Sequence, residues 1–135
     1  MTILTSAEAQ VQLETLTSNL SFVSESDFPL TVTRLGDAVD LDARTLLAAV
    51  GKPPTSLVEE GSVDELFAYP AQEQSWHTAE ERAVASRYQS LLEFLTTSLE
   101  GSRVFRVGSS DIDVYAVGKS ADGQWLGIAT KLVET

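Results

Sequence analysis

The chain has 135 residues, 20 acids against nine bases for a formal net charge of -11, and no cysteine. That length can bury one hydrophobic core without cross-links, and the missing thiol excludes disulfide frameworks, cysteine nucleophiles and thiolate-held metals. The negative excess repels nucleic acid and anionic membranes. No run of 18 apolar residues and no basic export-type leader occurs, so the expectation is a single domain over residues 1–135 in a reducing cytoplasm.

In chain order, Thr5-x-x-Glu8 has the form of a capping box, and Leu13, Leu16, Leu20 and Val23 recur at three and four residues, which predicts an amphipathic helix ending near Phe22. Residues 24–29 read as a polar turn closed by Pro29. Leu30 to Thr33 reads as a short strand stopped near Gly36. Asp40 or Asp42 can cap a second helix through Leu46, Leu47 and Val50, ended by Gly51 and the pair Pro53-Pro54. Ser62-x-x-Glu65 suggests a short third helix.

The clearest helix is Ala79 to Leu99: Thr78-x-x-Glu81 caps it, and Val84, Tyr88, Leu91, Leu92, Leu95 and Leu99 form its apolar stripe before Gly101. The period then switches to two, predicting strands at 104–107, 112–117 and 125–133, with Asp122-Gly123 as the hairpin signal between the last two. Helices before and between strands, followed by a terminal antiparallel meander, define an α+β layered domain.

Catalytic chemistry has few carriers here. The sole histidine, His77, sits beside Trp76 at a helix start, where a solvent-facing or partner-facing role fits better than a general base. The carboxylate pairs Asp40/Asp42, Glu59/Glu60 and Asp111/Asp113 offer acid and base groups, but their spacing is equally that of turns and exposed strands. No phosphate loop, dinucleotide glycine pattern or calcium loop is present.

The acidity is uneven: residues 1–79 carry 12 acids against three bases, the rest eight against six. Such a field attracts a basic partner or simply keeps the chain in solution. Trp76, alone in the polar segment 72–77, is either an interface anchor or a staple folded onto the helix that follows.

Three stretches carry a resemblance: 22–29 (FVSESDFP), 74–76 leading into Glu80-Glu81, and 113–118 with 127–135. They resemble the nuclease A inhibitor family, over essentially the whole chain, with residues 35–61 the most divergent. The resemblance implies an α/β/α sandwich with a central antiparallel sheet, similar to the pathogenesis-related-protein-1 fold. It also implies a non-catalytic inhibitor of a sugar-non-specific, magnesium-dependent nuclease of the ββα-metal type. The contact residues it implies are Glu25, Gln74, Trp76 and the C-terminal Thr135. Thr135 would reach the partner's magnesium, so that metal belongs to the complex and the chain has no cofactor of its own. A module of the same family directed at another basic protein is the alternative.

Overall fold

A computed structural model describes residues 2–18, 20–23, 27–68, 71, 75–76 and 78–133, and of 21–23 and 27 the backbone only. Two helices open by the same device. Thr5 and Thr78 each accept the backbone N–H of a glutamate three residues on, and that glutamate reaches back to the threonine N–H, satisfying donors a helix start leaves without partners. They begin α1 (Ser6–Thr17) and α4 (Ala79–Thr97). Asp42 caps α2 (Ala43–Ala49) and Ser62 caps α3 (Val63–Phe67) in the simpler one-sided way.

The strands are β1 (Ser21–Val23), β2 (Asp27–Pro29), β3 (Thr31–Gly36), β4 (Val58–Gly61), β5 (Glu100–Val107), β6 (Asp111–Lys119) and β7 (Trp125–Val133). β1 and β2 form a small antiparallel hairpin, and the other five make one antiparallel sheet in the order β3-β7-β6-β5-β4. The expected terminal meander is thus its centre.

Alternation along β6 sends Ile112, Val114 and Ala116 to one face and Val117 to the other. The first face packs with Leu13 of α1, Phe67 of α3 and Tyr88, Leu91 and Leu95 of α4. The second, with Phe105, Val107 and Trp125, packs against Leu46 and Leu47 of α2 and Leu35 and Leu41. Helices therefore cover both faces of the sheet. Gly127 lets β7 lie close to β6: a Cβ there would stand 2.8 Å from the Val117 Cα and overlap the Ala116 carbonyl.

Several expected boundaries change. α1 ends at Thr17 instead of running to Phe22, because Ser18 turns extended and Leu20, still buried, enters the core from outside the helix. Of the segment read as a polar turn, Asp27–Pro29 is strand β2, paired with β1, and residues 24–26 lie outside the described residues. β4 was not expected, since Glu59 and Glu60 face water on an edge strand whose backbone pairs with β5. Val84 is 43% exposed; the buried stripe of α4 runs through Ala85, Tyr88, Leu91, Phe94 and Leu95.

Candidate partner-binding surface

Strand directions decide which segments share an end of the sheet. β6 and β7 are antiparallel, with Asp111 opposite Val133 at one end and Lys119 opposite Trp125 at the other. β3 descends beside β7 from Thr31 opposite Ala129 to Gly36 opposite Trp125, so β2, which precedes it, lies level with the last residues of β7. The Thr130 hydroxyl fixes that level by donating to the carbonyls of Phe28 (3.4 Å) and Pro29 (3.1 Å).

α4 reaches the same end from the opposite side. It is joined to β5 through Ser98 and Leu99, and the Ser102 hydroxyl donates to the Leu95 carbonyl, so helix and strand run back to back. Nineteen helical residues span about 28 Å and the eight of β5 about 26 Å, which returns the start of α4 to the level of Val107 and Asp111. The β1–β2 hairpin, the start of α4 and the end of β7 thus belong to one end of the molecule.

The start of the chain marks the other end. Leu4 N–H donates to the Ser98 carbonyl (3.0 Å) and its carbonyl accepts from Ala121 N–H (2.8 Å). The Asp122 carboxylate takes the Ser6 N–H and hydroxyl, both at 2.7 Å, and the Ser120 hydroxyl at 2.6 Å. These donors, the Ser120 hydroxyl foremost, hold Asp122 far below the usual carboxylate range.

Of the residues expected to make contact, Trp76 is described: it is 66% exposed and belongs to neither hydrophobic cluster. Arg82 of α4 donates to the carbonyl of Ser75, its neighbour, at 3.3 Å. The first turn of α4 adds two exposed acids, Glu80 and Glu81. Glu25, Gln74, Thr135 and His77 lie outside the described residues.

Four of the paired carboxylates have structural tasks. Asp42 accepts the Thr45 N–H at 2.8 Å, and this backbone hydrogen bond lowers its pKa. Asp40 and Glu60 each stand 3.7 Å from Arg103, which also donates to the Leu41 carbonyl and lies over the Trp125 ring. Asp113 pairs with Lys52 at 2.6 Å, and that hydrogen bond raises the lysine pKa. The Lys52–Asp113 pair clips the divergent connection after α2 onto the sheet; 61 positions apart, the two give no sequence signal. Beside it a shallow cavity of about 360 Å³ is bounded by Phe28, Thr31, Tyr115, Ala129 and Lys131, and burial pushes the Tyr115 phenol pKa up. Among the described residues no group of three or more His, Asp or Glu side chains could hold a metal ion.

A sheet shielded by helices on both faces, with three chain segments brought to one end, defines a mixed α/β protein. The family model for nuclease A inhibitor-like proteins matches residues 7–135, and the chain belongs to that family. No curated protein matches the sequence. Among the described residues no helix is long and apolar enough to cross a membrane.

Proposed function

We propose that this chain inhibits a sugar-non-specific, magnesium-dependent nuclease of the ββα-metal type, using the end of the molecule that carries Trp76. The observation that carries the reading is the shared end: the strand leading to Thr135, the hairpin flanking Glu25 and the helix preceded by Gln74 and Trp76 all point to it.

The physical logic is electrostatic and steric. A nuclease indifferent to sequence grips the phosphate backbone, so its cleft is basic and holds a hard cation that takes oxygen ligands. A chain of net charge -11 is steered toward such a cleft. Thr135 supplies oxygen donors, a hydroxyl and the terminal carboxylate, suited to the nuclease's magnesium. Glu25 meets a basic group of the cleft, and Trp76 with Gln74 anchors the surrounding surface. The chain performs no reaction itself; it occludes one, in the cytoplasm, from an α/β/α sandwich of the pathogenesis-related-protein-1 type.

The test is DNA and RNA degradation by a purified ββα-metal nuclease titrated with this protein in magnesium buffer. Stoichiometric loss of both activities is expected. Full activity at a large molar excess, across several nucleases of that class, would sink the proposal and favour a different basic partner.

A further inference from the structure

α1 has no basic residue in its last turn to meet its final carbonyls. Its cap residue, Ser18, lies at φ -56° and ψ 119°. A donor comes from another helix: Arg87 of α4 donates through Nη2 to the carbonyls of Leu16 (3.2 Å) and Ser18. Ser18 stands three residues before β1, and the hairpin is rooted just beyond it, where Leu20 N–H donates to the Thr17 carbonyl and Leu30 N–H to the Leu20 carbonyl, each at 3.0 Å.

Five residues earlier on α4, about 7.5 Å along its axis, Arg82 reaches the carbonyl of Ser75, next to Trp76. One rigid helix therefore holds, through two guanidinium groups, the root of the hairpin and the segment bearing the exposed tryptophan. All three bonds end on backbone carbonyls, so they fix chain position whatever the neighbouring side chains are.

We infer that Arg82 and Arg87 are positioning residues of the inhibitory surface: together they set the spacing between the β1–β2 hairpin and the Trp76 segment, so that the surface meets its partner already in shape. This rests on the reading given under Proposed function. A surface held in its bound arrangement loses less freedom on association, which strengthens a complex without adding a contact.

Charge makes the inference testable. Replacing either arginine by methionine makes an acidic protein more acidic, so steering toward a basic nuclease is kept or improved. Weaker inhibition by Arg87→Met or Arg82→Met then comes from lost placement. The experiment measures association and dissociation rates of wild type, both single variants, Trp76→Ala and the doubles, against the ββα-metal nuclease that the wild-type chain inhibits. Expected is a rise in Kd of about tenfold for each arginine variant, the scale of lost preorganisation, carried by faster dissociation. In the Trp76→Ala background Arg87→Met should add little, because spacing to an absent anchor no longer matters.

Unchanged dissociation, or losses that multiply fully with Trp76→Ala, would overturn the inference while leaving the inhibitor reading intact. Failure of the wild-type chain to inhibit any such nuclease would instead sink the reading. Amide exchange of the free protein separates the two. Arg87→Met should speed exchange at Leu20 and Leu30 and leave Leu91 in α4 protected; unchanged exchange at Leu20 and Leu30 overturns the strut even without a partner. A merely stabilising arginine would loosen all three together. If Arg87→Met fails to fold, Arg87→Lys, which keeps one donor and the charge, should show the same effects in smaller measure, and wild-type behaviour there overturns the proposal.

Discussion

Truncating Trp76 to alanine removes a large side chain that the free protein leaves mostly in water, at 66% exposure. A tryptophan offers up to about 250 Å², so about 165 Å² remains to be covered on binding. At about 25 cal/mol per Å² this sets a ceiling near 4 kcal/mol. Ordering of the side chain and imperfect coverage consume part of that, leaving about 2 kcal/mol, or roughly a 30-fold loss of affinity. The assay is nuclease inhibition titrated at several enzyme concentrations, with calorimetry to give Kd directly. Thermal unfolding of the free variant should stay near wild type, since a surface substitution usually shifts stability by no more than about 0.5 kcal/mol. A Kd within about threefold of wild type, with unfolding unchanged, would show that the tryptophan lies outside the interface.

Other expectations test the frame that carries this surface. Gly127→Ala drives a Cβ into the backbone of β6, with Val117 Cα at 2.8 Å, and should cost about 1–3 kcal/mol, lowering the melting midpoint by several degrees. Gly61→Ala, with nothing within 4 Å, is the control expected to melt near wild type, and equal melting of the two would refute the close-approach argument. Asp122→Asn should destabilise at neutral pH by weakening the clamp on Ser6 and Ser120. Because the folded state holds the Asp122 pKa below its ordinary value of 3.8, its contribution is present above about pH 4 and fades as pH falls further. The melting difference between wild type and Asp122→Asn should therefore shrink between pH 5 and pH 2, and a gap that widened on acidification would contradict the assignment.

What the sequence discloses depends on how local the cause is. The capping boxes at Thr5 and Thr78 act within four residues, and both helix starts were readable. The bounds of β7 were readable too, because Asp122-Gly123 marks the turn before it and an apolar, β-branched run follows. The end of α1 was not, because the apolar spacing continues through Leu20 and Val23, while carbonyls at the helix end are met by Arg87, about 70 positions away. β4 was hidden by Glu59 and Glu60, whose side chains face water while their backbone pairs with β5. Trp76 stood out in sequence as one aromatic among polar residues, and it is 66% exposed. The common end it shares with the hairpin and β7 follows only from the antiparallel strand order and the return of α4, which no local pattern records.

The two ends of this molecule differ in a way that one comparison can test: Leu4 is bound beside Ser98 and Ala121, while Val133 lies at the far end of the sheet. A flexible Gly-Ser tail of about ten residues, spanning roughly 15–20 Å, can be fused after Thr135 in one protein and before Met1 in another, and each titrated against the same nuclease. The account predicts that the C-terminal tail abolishes inhibition while the N-terminal tail leaves it intact. Equal inhibition by both proteins would contradict the claim that the end carrying Thr135 enters the nuclease.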